Sequence, residues 1–333
     1  MADLRTAYLG LALRSPIIAS AGPLTGTLAT LHQLEQAGVA AVVLPSLFEE
    51  EVVTESKHLN HVLEQGADWT PEASTFFPDM DFSDLGPERH VKLVERAKAS
   101  VNIPVIASVN ATSPGVWARY AALMADAGAD AIELNLYAVP GDPVHDAASV
   151  EARYLDAISE VRSQVRVPLS VKLSPYFSSA GHFATRAVRA GADGLVLFNR
   201  FYQPDLDLET LGVLPVVELS QPWELRLPLR WIALLRAHLP ETSLAATSGV
   251  HRGTDVAKAL LVGADVAMMT SALLRHGASH VAVVERELDT WLNEHDYESV
   301  AQIRGSMSQA AAPDPEAYER ANYIRMLSSL HLP

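Results

Sequence analysis

Short, nearly continuous apolar runs recur along the chain at Ile17–Ala21, Ala40–Leu44, Val105–Val109, Ala131–Leu136, Leu169–Leu173, Gly194–Phe198, Ser243–Thr247 and Val266–Met269. Longer stretches with helical spacing separate them. Runs that are apolar on both faces are expected of parallel strands covered by helices. What precedes each run alternates in kind. Pro16, Pro104, Pro168 and Pro240 lie before the first, third, fifth and seventh, whereas Ala37-Gly38, Ala127-Gly128, Ala190-Gly191 and Val262-Gly263 lie before the others. A Gly there suits a helix end that turns through the left-handed conformation into the next strand. A Pro at the start of a strand removes an N–H that no ladder bond yet requires. Four such doublets predict an α/β fold, a (β/α)8 TIM barrel. A doubly wound open sheet is the competing pattern, but no GxGxxG turn or topological switch point marks it.

The rhythm lapses between the second and third runs, where 46–100 reads as a lid-like insertion carrying Trp69-Thr70-Pro71 and the aromatic stretch Phe76–Phe82. It lapses again over Asn199–Leu229, with Phe201, Tyr202 and Trp223. Both segments leave from the C-terminal ends of strands, where barrel enzymes build their sites. Their aromatics would serve equally as a satellite core. From about Asp296 a helical extension (296–333) is expected, broken at Ala311-Ala312-Pro313-Asp314-Pro315. The whole of 1–333 is expected to form one barrel domain.

Composition agrees with a soluble globular chain: 333 residues, 49% apolar and 20% charged. The net charge, 25 − 40 = −15, argues against nucleic acid or an anionic membrane surface as a partner. No apolar run approaches the ~18 residues of a membrane span, and no signal-peptide pattern opens the chain, so a cytoplasmic protein is expected. The chain has no Cys. That excludes disulfides, thiolate metal sites, iron–sulfur clusters held by this chain and cysteine catalysis. No metal site is expected.

Candidate chemistry gathers where the strands end. The first run ends Ala19-Ser20-Ala21-Gly22, small residues beside which a flat ring can lie. The second leads to Pro45-Ser46, the third ends Ser108-Val109-Asn110, and the fourth holds Glu133-Leu134-Asn135. The fifth supplies Lys172, and Asn199 closes the sixth. Such amides and an ammonium at one barrel mouth would recognise a ring with several hydrogen-bonding edges. Lys172 lies in an apolar strand, and an unpaired buried charge is costly. Three roles fit it: a Schiff base, a positive charge held against a reduced cofactor, or a structural pair with Glu133. Thr247-Ser248-Gly249 and Thr270-Ser271 read either as a phosphate cradle or as N-caps at Ser248 and Ser271. Capping alone gives no reason for Gly249.

Glu133-Leu134-Asn135-Leu136, Val171-Lys172-Leu173-Ser174-Pro175-Tyr176-Phe177, Ser248-Gly249-Val250, Gly263-Ala264-Asp265 and Thr270-Ser271-Ala272-Leu273 resemble the class 1 dihydroorotate dehydrogenases. So do Ile18-Ala19-Ser20-Ala21-Gly22 and Tyr297-Glu298-Ser299-Val300. The motifs follow the family's order over essentially the whole chain. The resemblance implies a barrel that binds FMN at its C-terminal mouth, with Lys172 on the flavin N1–C2=O edge, where it stabilises the anionic reduced ring. It further implies Ala19, Ser20, Ser46, Asn110 and Asn135 on the cofactor, and Ser248, Gly249, Thr270 and Ser271 around its phosphate. Asn135 and Asn199 would meet a pyrimidine substrate.

The departures fall on the substrate side. The family follows its fourth strand with Ser-Cys-Pro-Asn or Ser-Ser-Pro-Asn, whose second residue is the general base; this chain reads Tyr137-Ala138-Val139-Pro140. Ala138 accepts no proton. Pro45 stands where the family has a Lys, and Phe76–Phe82 replaces its Asn-rich substrate loop. Losing a positioned base costs about 10²–10⁴-fold in rate. Tyr137 or His145 would have to replace it, and a Tyr with an ordinary pKa near ~10 needs strong activation. The expectation is an FMN-dependent oxidoreductase of CH–CH donors, similar to the dihydroorotate dehydrogenases of pyrimidine biosynthesis but poor at oxidising dihydroorotate. The alternative is a non-catalytic flavin-binding or assembly subunit of a larger redox complex. Without Cys, electrons would pass to a soluble acceptor or a partner subunit, and the resemblance implies a homodimer.

Overall fold

Two short strands, β1 (Thr6–Tyr8) and β2 (Leu11–Leu13), open the computed structural model and pair antiparallel across the turn Leu9-Gly10. Both turn residues have positive φ, 54° and 74°, which matches the twist of a tight hairpin. The structure describes residues 1–49, 87–110, 115–137, 141–200, 204–214, 217–315, 318, 324, 328 and 329. The further strands are β3 (Ile17–Ala19), β4 (Ala41–Val43), β5 (Leu47–Phe48), β6 (Val105–Asn110), β7 (Ala131–Asn135), β8 (Leu169–Leu173), β9 (Gly194–Leu197), β10 (Asp205–Asp207), β11 (Gly212–Leu214), β12 (Ser243–Ala246) and β13 (Val266–Met269). Strands β3, β4, β6, β7, β8, β9, β12 and β13 pair in parallel in that order, and β13 returns to β3. The sheet is therefore a closed barrel, not an open sheet, and each apolar run named above overlaps one of its strands. The short β5 adds to the upper end of β6, and β10 and β11 form a separate hairpin.

Helices α1 (Leu28–Gln36), α2 (Pro87–Ser100), α3 (Val116–Asp126), α4 (Ala147–Gln164), α5 (Ala180–Arg189), α6 (Arg226–His238), α7 (Gly253–Val262) and α8 (Ser271–His276) follow the successive barrel strands. Then come α9 (His280–Glu294) and the single turn α10 (Val300–Ile303). Helix α2 starts at Pro87, so the latter part of 46–100 is the barrel's own helix. Residues 50–86, with Trp69 and Phe76–Phe82, lie outside the described residues. Among the described residues no helix is long and apolar enough to cross a membrane.

The period of two along each strand sorts the apolar residues into two cores. Ile18, Val43, Ile106, Val196, Ala245 and Met268 form an inner core with Tyr8 and Leu9 of the hairpin. Leu9 lies so close to Gly194 that an added Cβ there would come within 2.6 Å of its Cδ2. Ile17, Val42, Val105, Leu134, Val171 and Leu195 belong instead to the outer core under the helices. The polar residues of the central strands share the inward parity: Ser108 and Asn110, Glu133 and Asn135, Ser170 and Lys172. In register, Glu133 lies between Ser108 and Ser170, and Asn135 lies beside Lys172.

The lower face is fastened by a repeated device. In Gly128-Ala129-Asp130, Gly191-Ala192-Asp193 and Gly263-Ala264-Asp265 the Gly φ values are 96°, 121° and 113°. Each Asp accepts a hydrogen bond from an N–H at the start of the preceding barrel strand: Asp130 from Val105 at 2.7 Å, Asp193 from Leu169 at 2.8 Å and Asp265 from Leu244 at 2.7 Å. Each also pairs with a cation from the last turn of the helix before that strand, Lys98, Arg162 or Arg236. An added Cβ at Gly191 would meet Arg162 Cγ at 2.5 Å, and one at Gly263 would meet Arg236 Cγ at 2.7 Å. The glycines thus turn the chain and let the guanidinium stems cross. Arg304 joins Asp265 at 2.6 Å and ties the C-terminal extension beneath the barrel. Because Asp265 is buried with two guanidinium partners, Asp265→Ala is expected to cost about 3 kcal/mol or more in urea unfolding. A loss below about 1 kcal/mol would show that these pairs act only as surface pairs do.

Candidate active site

The inward polar residues converge at the upper end of the barrel. Glu133 is fully buried, and its Oε1 lies 3.5 Å from Lys172 Nζ. Lys172 Nζ also lies 3.5 Å from the Ser20 hydroxyl at the end of β3. The structural pair with Glu133 and the presentation of a positive charge at the mouth are thus one arrangement, since the carboxylate sits below the ammonium on the neighbouring strand. Glu133 Oε2 and the Tyr8 hydroxyl are buried without a hydrogen-bond partner. Burial raises the Tyr8 phenol well above its ordinary value, and the nearby charge of Glu133 adds to the effect. Above Lys172, the Asn199 amide donates to Asn135 Oδ1 at 2.9 Å. The Ser46 and Ser108 hydroxyls are hydrogen-bonded at 2.8 Å.

A cavity of about 880 Å³ opens over these groups, within the ~300–1,000 Å³ range of ligand and cofactor sites. Ser46, Asn135, Lys172 and Asn199 line it, together with Ala21 and Gly22. Ala19 and Asn110 are buried in their strands and do not line it. Tyr137 is half-buried beyond β7 and His145 is exposed; neither reaches the cavity wall. Ala138, Phe201 and Tyr202 lie outside the described residues. Trp223 is 65% exposed, so it packs no satellite core. The wall also contains Arg89, Lys92 and Arg96 of α2, which the sequence reading passed over inside the supposed insertion. Their spacing of three and four residues was the available signal.

The loops after β12 and β13 meet the end of β3 through Thr270 and Ser20, but Ser248, Gly249, Thr270 and Ser271 are not part of the cavity wall. Ser248 and Gly249 have successive positive φ values, 74° and 77°. Gly249 N–H donates to the Ser220 hydroxyl at 3.4 Å, and Ser220 N–H donates to the Ser271 hydroxyl at 2.9 Å. The capping alternative fails: α7 begins only at Gly253, and α8 has Thr270 at its N-cap without a side-chain cap bond. Thr270 instead donates to Ser20 O at 3.4 Å. Ser220 and its neighbour His251, 3.4 Å away, are site residues that sequence reasoning missed. They lie 29 to 51 positions from their partners, beyond any local pattern.

Burial holds the His251 imidazole below its ordinary 6.5, the positive charge of Arg275 lowers it further, and Asp255 opposes both. The unfolded chain therefore takes up this proton more readily than the folded one. The stability contributed by the neutral ring is complete above pH 6.5 and is lost as the pH falls below it. Urea midpoints taken at about pH 7.5 and about pH 5.5 are expected to fall more for the natural protein than for His251→Gln. Equal falls would contradict this.

A cofactor-sized cavity at the C-terminal face of a closed parallel barrel is the arrangement of the barrel enzymes. Within that class the chain belongs to the dihydroorotate dehydrogenase family, whose model matches residues 3–292. It is 25% identical over 312 residues to the dihydroorotate dehydrogenase B (NAD(+)) catalytic subunit of Thermoplasma volcanium, covering 92% of this chain and 98% of that protein. It is 21% identical to the chloroplastic dihydropyrimidine dehydrogenase (NADP(+)) of Arabidopsis thaliana, covering 92% of this chain and 77% of the relative. It is 22% identical to the NAD-dependent dihydropyrimidine dehydrogenase subunit PreA of Escherichia coli, covering 93% and 78% respectively. The chain is thus a dihydroorotate- or dihydropyrimidine-dehydrogenase-like oxidoreductase.

Proposed function

We propose that the protein is an FMN-dependent oxidoreductase of CH–CH donors whose substrate side has diverged from dihydroorotate. The observation that carries this reading is Lys172, whose ammonium lines the cavity while buried Glu133 holds it from below. FMN, when bound, supplies two-electron chemistry at the N5 edge of its ring. Lys172 would set a positive charge against the ring where negative charge develops. Ala21 and Gly22 leave room for a flat ring, and Ser46, Asn135 and Asn199 offer it or the substrate hydrogen bonds. Ser220, Gly249 and Ser271 bring hydroxyls and an N–H together, a donor set suited to the phosphate, with Ser248 and Thr270 shaping the loops. Ala19, Ser20 and Asn110 would support the ring site from the strands beneath.

Ala138 at the position of the family's base supports a changed substrate. A chain without Cys holds no iron–sulfur relay of its own, so electrons would leave to an acceptor molecule or a partner subunit. Relatives named as subunits support the second route. The hairpin of β10 and β11 exposes Leu206, Leu208, Leu211 and Val213, which supports an interface such as that of a homodimer. Ala138 also favours a second reading, a flavin-binding subunit without catalysis. FMN-loaded protein mixed anaerobically with dihydroorotate is expected to keep its oxidised flavin bands while dithionite bleaches them. Rapid bleaching by dihydroorotate would restore that substrate. Turnover with any other donor and acceptor pair would exclude the non-catalytic reading.

A further inference from the structure

Arg89, Lys92 and Arg96 stand at i, i+3 and i+7 of α2, which places them along one face over about 10 Å. All three line the same cavity as Lys172. Its described lining thus holds four Lys and Arg side chains and no carboxylate, in a chain of net charge −15. Lys98 of the same helix behaves differently, pairing with Asp130 at 2.7 Å. Arg89 and Arg96 are exposed and form no ion pair with any described residue.

We infer that this wall binds an extended anion, the phosphate-type tail of a substrate whose ring lies at Lys172. A ring carboxylate alone spans one or two of these cations, whereas a stripe of about 10 Å matches a run of anionic groups. The inference rests on the flavin reading only for the placement of the ring. Inorganic pyrophosphate is the probe, titrated calorimetrically into FMN-loaded protein at low salt so that the cofactor's own phosphate site is filled. Binding is expected, weakening as NaCl is raised. Arg89→Gln/Arg96→Gln is expected to weaken it about tenfold or more while FMN content stays unchanged. No binding, or equal binding by both proteins, would overturn the inference. A chain that takes no FMN would fail the flavin reading alone, because the Arg dependence of pyrophosphate binding still decides on the stripe.

Discussion

Lys172→Met is expected to lower stability by about 3–5 kcal/mol, the cost of removing one partner from a buried ion pair. Buried Glu133 bears the consequence: its Oε1 faces Lys172 at 3.5 Å, and its Oε2 has no hydrogen-bond partner. The methionine restores the apolar stem but leaves the carboxylate uncompensated inside the barrel. Adding Glu133→Gln should recover part of the loss, giving a coupling that a double-mutant cycle in urea reads directly. The same single substitution should slow any flavin-dependent turnover by about 10²–10³-fold, as expected when one charge-stabilising group is removed. Additive losses in the cycle would show that the two side chains do not act as a pair.

Gly249→Ala carries the second large effect. Its φ of 77° is unfavourable for any L side chain, by about 1–2 kcal/mol. The new Cβ would also strike Leu225 N and lie 2.9 Å from Gln221 O. The turn at 221–225 would have to move, drawing Ser220 away from Gly249 and Ser271. A stability loss of about 2–3 kcal/mol is expected, with FMN affinity reduced about tenfold or more. Gly10 supplies the control: its φ is 74°, and nothing lies within 4 Å of an added Cβ. Gly10→Ala therefore reports backbone strain alone. If both variants lost the same stability and both kept FMN, the close packing at Gly249 would play no part in the site.

The barrel was legible because parallel strands covered on both sides leave continuous apolar runs, and because Gly38, Gly128, Gly191 and Gly263 mark helix ends with positive φ. The mouth was legible only in part. Asn135, Lys172 and Asn199 stand at strand ends, where position along the chain already implies position in the fold. Their inward aim also lay in the sequence, since Glu133 and Asn135, like Ser170 and Lys172, are two residues apart. The hairpin at Leu9-Gly10 was missed because the apolar stretch Ala7–Leu13, cut short at Arg14, was weighed only as a leader sequence and its two-residue turn went unread. The three Asp residues that close the lower face were missed because their function lies in hydrogen bonds to strands 21 to 25 residues earlier. Ser220 was hidden in an irregular stretch read only for its aromatics. Capping at Ser248 and Ser271 was a local expectation, and tertiary contacts with Phe198 and Ser220 displaced it.

The central claim is that Lys172 and the loops after β12 and β13 form a flavin site. The most direct test is the visible absorption spectrum of the purified protein after incubation with excess FMN and removal of the unbound fraction. Retained flavin bands, with FMN released on denaturation and retention lost in Gly249→Ala, are the predicted result. A colourless protein that refuses added FMN while folded would contradict it: the barrel would stand, and its mouth would serve some other ligand.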